Sequence, residues 1–282
     1  MDGDLAIAEC RTRVAGAGSD LYYAALFLPE EEKHRLFSLH ALAAELAGIP
    51  CTVADAGVAR IKLAWWQEEI SQLTAGGPRH PITIAIAASG AIDRIDAATV
   101  IEMTMACATW LDRPSLTGVD EVLSAHAQFE GLLWQESARL LGVRDSPSLA
   151  GACRLGGIIG VIHTMQRLGE ILPRGIARLP EDLVRARGLS PEAIVRGVHD
   201  RQMAEVAEAM AGDVRTALRD TLSALPSSQR DRLLPLLILA GIANKTLDEM
   251  QDDGFRLLER RVALTPLRKL WTAIATRHHE RR

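Results

Sequence analysis

Apolar residues recur every three or four positions along almost the whole of this 282-residue chain, and no alternating β-branched run exceeds a few residues. That periodicity restricts the chain to helices packed on helices. Over 30–49 the residues Leu36, Phe37, Leu39, Leu42, Leu46 and Ile49 fall in one stripe. Pro29 suits a first helical position, Glu30, Glu31 and Glu32 complement the positive end of the helix dipole, and Pro50 is expected to stop the helix. A second stripe, Val58, Ile61, Leu63, Trp65, Trp66 and Ile70, ends at Gly76-Gly77-Pro78. Pro114 and Gly118 separate a helix over 97–111 from one reaching Leu141, and Ser146-Pro147 opens another that reaches Ile171. Ser190-Pro191-Glu192 and Thr265-Pro266 each place a capping hydroxyl before a first-turn proline. No repeat, low-complexity tract or linker divides the chain. The expectation is an all-α single domain over 1–282, a bundle of about ten helices.

Composition agrees. There are 42 Ala and 38 Leu against 11 aromatics, and Ala and Leu give up least on entering a helix. The 48% hydrophobic and 24% charged content excludes a disordered or collagen-like chain. A net charge of −4 exerts no pull on nucleic acid, so no nucleic-acid partner is expected. The charge is uneven: Arg256 to Arg282 carries net +6, leaving −10 on the rest. This end reads as a solvated basic tail, or as one resting on an anionic membrane or an acidic partner, where each basic group contributes about 1 kcal/mol. Cys10, Cys51, Cys107 and Cys153 lack both zinc and disulfide spacing and read as reduced. No signal segment is visible, and the longest apolar runs, Pro81 to Ile92 and Leu233 to Ala243, are 12 and 11 residues. A cytoplasmic protein, at most peripheral to the inner membrane, is expected.

Nucleophile-elbow, Walker, HExxH and EF-hand patterns are missing. Three constellations remain. His126 and Glu130, four apart, read as a hydrogen-bonded pair rather than a metal pair. Asp248, Glu249, Asp252 and Asp253 could chelate magnesium through carboxylates one turn apart, though a solvated face is the simpler reading. Gly156, Gly157 and Gly160 suit close helix packing better than a phosphate cradle, since no strand precedes them.

Several stretches together resemble the squalene/phytoene synthase family of head-to-head prenyl synthases. They are Ser19-Asp20-Leu21-Tyr22-Tyr23 running to Pro29, His40-Ala41-Leu42, Leu63-Ala64-Trp65-Trp66-Gln67-Glu68-Glu69-Ile70, Arg174-Gly175 with Leu179-Pro180, and Val262 to Trp271. The resemblance covers nearly the whole chain and implies an isoprenoid-synthase-like bundle around a central cavity. Helices over 36–46, 133–141 and 155–165 are the expected apolar lining.

Active members of that family bind diphosphates through magnesium held by two aspartate-rich motifs, because a diphosphate leaves only when its developing charge is neutralised. The resemblance places the aspartate positions of the first motif on Ala47, Gly48 and Cys51, and those of the second on Arg167 and Ile171, around a surviving Gly169-Glu170. None is a carboxylate. An arginine where Mg²⁺ would sit opposes the metal yet can attract an anion directly. The pattern Ala41-Leu42-Ala43-Ala44-Glu45-Leu46-Ala47 is closer to the branch that includes the mitochondrial complex I assembly factor and its bacterial relatives, and Arg178 replaces the tyrosine of the family's Tyr-Leu-Pro turn.

The resemblance and its departures imply a catalytically degenerate protein, with no catalytic residues and no cofactor, that acts by binding a protein partner or an isoprenoid lipid. Ser19, Tyr22, Glu45, Arg167, Glu170 and Arg174 are the candidates for an anionic ligand. Two alternatives stay open. One is an active Mg-dependent synthase with an atypical site, drawing on Glu45, Glu170 and the cluster of Asp248 and Asp252. The other is a non-catalytic subunit of such a synthase.

Overall fold

The computed structural model describes residues 2–172, 178–190 and 200–281, and among them no strand occurs. The helices are α1 (Gly3–Val14), α2 (Asp20–Ala24), α3 (Glu30–Thr52), α4 (Ala56–Thr74), α5 (Pro81–Ala88), α6 (Ala97–Leu111) and α7 (Val119–His126). After a π-helical turn (Ala127–Gly131) come α8 (Leu132–Leu140), α9 (Ser146–Gln166), α10 (Leu168–Ile171), α11 (Glu181–Ala186), α12 (Asp200–Ala224), α13 (Leu234–Asp252) and α14 (Pro266–Glu280). Eleven of these have eight residues or more, in line with a bundle of about ten. The expected start at Pro191 lies outside the described residues, as do Arg174 and Gly175.

Short polar side chains begin several helices, Thr265 as the sequence places it and Asp145 one residue before the expected Ser146. Asp55 accepts the Val58 N–H at 2.9 Å, Asp145 that of Ser148 at 3.0 Å and Thr265 that of Arg268 at 3.4 Å.

Three boundaries differ from the sequence expectation. Pro50 does not stop α3, which runs to Thr52. The proline falls in the last turn, so only its own bond to the Leu46 carbonyl is lost, and the Val53 N–H still reaches the Ile49 carbonyl at 3.1 Å. Cys51 therefore stays on the helix. The helix expected up to Leu141 is interrupted by the π turn. The one expected to reach Ile171 breaks at Arg167, beyond which the Gly169 N–H donates to the Leu257 carbonyl at 3.1 Å.

The π turn lies against α9, and glycines on both sides make the approach possible. A Cβ on Gly131 would stand 2.6 Å from the Cys153 carbonyl oxygen, and one on Gly156 would stand 2.4 Å from that of Glu130. Gly157 meets Ala127 in the same way, at 3.0 Å. These glycines pack backbones together, as the sequence suggested.

Two apolar clusters form the core. One gathers α9, α12 and α13, the other α1, α4, α5 and α6. Both take side chains from α3 and α8: Leu36, Phe37, Trp134 and Ala138 belong to the first, Leu39, Leu42, Leu46, Leu133 and Leu140 to the second. By length and composition α9 could cross a membrane, which run-counting misses because Arg154 and His163 interrupt it, yet 72% of its apolar window is buried inside the protein. It is the central core helix.

Candidate functional site

The C-terminal ends of α3 and α9 close on a cavity of about 260 Å³. Ala47, Pro50 and Cys51 line it from α3, and Gly160, His163, Thr164 and Arg167 from α9 and its last residue. Ile171, Trp110 and Arg178 complete the wall, with His126 and Glu130 at the π turn. Four of the five positions that the resemblance aligns with the family's aspartates, 47, 51, 167 and 171, thus come together although 120 residues separate Ala47 from Arg167.

The lining is more polar than expected. Of the residues over 36–46 and 155–165 expected to line an apolar cavity, Leu36, Leu39, Leu46 and Leu155 are close-packed core with no exposed surface. Interiors pack to crystal-like density, so large side chains on helices this close fill the space between them. The 260 Å³ cavity lies beside this core, where Ala47, Cys51 and Gly160 leave room among larger polar side chains.

His126 is 4% exposed and uses both ring nitrogens: Nδ1 lies 3.2 Å from Glu130 Oε2 and Nε2 lies 3.4 Å from Thr164 Oγ1. Gly160 leaves room for this pair, since a Cβ there would be 2.9 Å from Glu130 Cγ and 3.0 Å from His126 Nδ1. Across the cavity the Arg178 guanidinium sits 4.6 Å over the Trp110 ring. Burial pushes its pKa down to about 10, the Glu130 carboxylate opposing the shift, and its Nη2 has no hydrogen-bond partner in the protein. His163 lies 3.6 Å from Asp20, whose other oxygen takes Lys269 at 2.7 Å. Burial works against ionisation of Asp20, but the bonds from His163 and Lys269 outweigh it and hold its carboxyl below the usual range.

The remaining candidates lie elsewhere. Ser19 caps α2 by accepting the Tyr22 N–H at 3.2 Å, and neither residue lines the cavity; Asp20 between them supplies the link to it. Glu45 pairs with Arg13, and with Gly48 it faces a separate groove beside Trp65, Trp66 and His80. At 100° per residue the directions of 45 and 48 average about 110° from those of 47 and 51, and the two pairs open onto different hollows. Glu170 lies between Arg167 at 3.0 Å and Arg261 at 3.6 Å. Arg174 is outside the described residues.

The acidic cluster at the end of α13 does not line the cavity either, and cations occupy most of it. Asp248 binds Arg215 at 3.1 Å and Lys245 at 3.2 Å, Glu249 binds Arg268 at 2.5 Å, and Asp253 pairs with Arg256 and Arg260; Asp252 is exposed.

Magnesium prefers several oxygen ligands in octahedral geometry. The cavity offers one carboxylate, Glu130, already paired with His126 and facing two arginines, and among the described residues no group of three or more His, Cys, Asp or Glu could hold a metal ion. This donor set does not fit the ion. What it suits is an anion, met by Arg178, Arg167 and His163. The sequence pairs His126 with Glu130, as found, but does not place Arg178 beside them, and it gives no motif for Trp110, His163 and Thr164.

Comparison with known proteins bears on this geometry. A family model described as squalene/phytoene synthase matches residues 14–268. Among curated proteins, complex I assembly factor 6 of the NADH dehydrogenase (ubiquinone) from Bos taurus is 21% identical over 87% of this chain and 75% of its own length. The Homo sapiens counterpart is 20% identical over 72% of this chain, which spans only 61% of that relative. Among solved structures, a dehydrosqualene synthase in complex with ligand superposes with a TM-score of 0.83 at 14% identity, covering 99% of this chain and 98% of the other. The squalene synthase HpnC from Alicyclobacillus acidocaldarius gives 0.71 at 14% identity, covering 90% and 95%. At that identity the likeness is one of fold.

Proposed function

Since the chain belongs to the squalene/phytoene synthase family, we propose that it keeps the synthase scaffold as a binding device and serves in the assembly of a protein complex rather than in magnesium-dependent prenyl transfer. One observation carries this reading: positions 47, 51, 167 and 171 converge on one cavity and bring to it Ala, Cys, Arg and Ile, one cation and no carboxylate where a metal cage needs carboxylates. The names of the curated relatives point to NADH dehydrogenase complex I as the kind of assembly served. In this reading the cavity holds an anionic head group, of an isoprenoid lipid or of the partner, through Arg178 and Arg167 and without a metal.

Purified protein supplied with Mg²⁺ and farnesyl or geranylgeranyl diphosphate is expected to release no diphosphate and form no squalene- or phytoene-type hydrocarbon. Affinity purification from the native source is expected to recover NADH dehydrogenase subunits. Product formation would falsify the reading in favour of an active synthase. Recovery of an active synthase in place of those subunits would make the chain a non-catalytic synthase subunit.

A further inference from the structure

The wall of the cavity carries a hydroxyl, an imidazole and a carboxylate in series. Thr164 Oγ1 lies 3.4 Å from His126 Nε2, and His126 Nδ1 lies 3.2 Å from Glu130 Oε2. A carboxylate only accepts hydrogen bonds, so the neutral ring carries its proton on Nδ1 and turns the Nε2 lone pair to the Thr164 hydroxyl. This is the order of nucleophile, base and orienting group by which a hydroxyl is activated for covalent catalysis, and such contacts tighten when substrate closes the site.

The local structure favours this series over ordinary helix bonding. The hydroxyls of Thr52, Thr109, Thr246 and Thr272 return to the carbonyl four residues back, the usual resting place of a helical threonine, whereas that of Thr164 turns to His126. The π turn begins after His126 and includes Glu130, and single turns of this kind recur at functional sites.

A nucleophile and its base also need a counterpart for the charge that develops on the substrate. Arg178 Nη2 and Trp110 Nε1 are buried donors that find no hydrogen-bond partner among the described residues, and both side chains wall the same cavity. A buried indole N–H ordinarily finds a partner. The guanidinium lies 4.6 Å over the indole ring, so the two donors are neighbours. Two donors converging on one oxygen stabilise the oxyanion of a tetrahedral intermediate. Acyl transfer is the reaction that fits, because a phosphoryl group spreads its charge over three oxygens, and the other cations are engaged, Arg167 by Glu170 and His163 by Asp20.

We propose that Thr164, His126 and Glu130 form a nucleophilic triad that hydrolyses small carboxylic esters without a metal. Thr164 Oγ1 attacks the ester carbonyl as its proton passes to His126 Nε2, and the carbonyl oxygen becomes an oxyanion held by Arg178 and Trp110. The bond to the leaving alcohol breaks, and the alcohol takes the proton from His126. Water, giving a proton to His126, then attacks the acyl-threonine, releasing the carboxylic acid and restoring the hydroxyl. Glu130 touches only the imidazole and is a positioning residue. A cavity of about 260 Å³ restricts the acyl group to a short one. The activity goes beyond the binding role and rests on the same cavity.

The full chain with p-nitrophenyl acetate in EDTA tests it. A burst of nitrophenolate and an acetyl adduct on Thr164 by mass spectrometry are expected. Thr164→Val keeps the shape and should keep the melting temperature while losing at least about hundredfold in rate, and Thr164→Ser should stay within about tenfold of wild type. Glu130→Gln should lower kcat at least about tenfold at unchanged KM. An adduct on Cys51 in place of Thr164, a wild-type rate in Thr164→Val, or an unchanged kcat in Glu130→Gln overturns the triad. Calorimetric binding of diphosphate without ester cleavage also overturns it and leaves the binding role standing; ester cleavage without diphosphate binding does the reverse.

Discussion

At the scale of single residues, Arg178 and His40 show how burial sets what a side chain can do. Arg178 stays cationic even with its pKa lowered to about 10, and it holds an unpaired donor beside the cavity. Inorganic diphosphate should therefore bind in the presence of EDTA, and Arg178→Met should weaken it about tenfold, as loss of a charge-assisted bond does. Calorimetric titration checks this, and equal dissociation constants for the two proteins would remove Arg178 from the site. His40 behaves differently. Its ring is enclosed against Trp134 at 4.9 Å, and burial pushes its pKa down to about 3, although the residue as a whole keeps some exposure. Since Ser137 donates to the Leu133 carbonyl, the His40 Nε2–H donates to Ser137 across 3.1 Å. The unfolded chain takes up this proton near 6.5 and the folded chain only near 3, so stability should fall as pH drops through that window. Urea midpoints across the range should drop less steeply in His40→Gln than in wild type; parallel curves would contradict the assignment.

At the scale of elements, the contact between α9 and the π turn gives the cavity its geometry. The extra residue in the turn and the glycines facing it place His126 and Glu130 over Gly160. Gly156→Ala forces a Cβ to within 2.4 Å of the Glu130 carbonyl and should destabilise the fold by about 2 kcal/mol, with loss of diphosphate affinity. Gly48 serves as the control. It sits in the interior of α3 with nothing within 4 Å of an added Cβ, so Gly48→Ala should stabilise by about 0.5–1 kcal/mol. Denaturant unfolding of both variants reads the two signs, and a matching loss in each would refute the packing argument.

At the scale of the whole molecule, the two apolar clusters are joined through α3 and α8, which supply buried side chains to both. Neither cluster can open without exposing part of a shared helix, so the chain should unfold in one transition, with equal calorimetric and van't Hoff enthalpies. A ratio well above one would mean the halves melt separately.

The sequence alone determined that this protein is helical, where most of its helices begin, and that the positions the resemblance aligns with the family's aspartates carry no carboxylate. Those properties are local: periodicity, capping and side-chain identity act within a few residues. Only the tertiary structure decided that Ala47, Cys51, Arg167 and Ile171 share a cavity while Glu45 and Gly48 do not, that Asp248 and its neighbours face arginines and lysine, and that Leu36, Leu39, Leu46 and Leu155 are packed core rather than cavity lining. The reason is range. Which faces of distant helices meet depends on how every side chain between them packs, and a one-residue change, such as the π turn inside the helix expected to reach Leu141, rotates everything beyond it by about 100°.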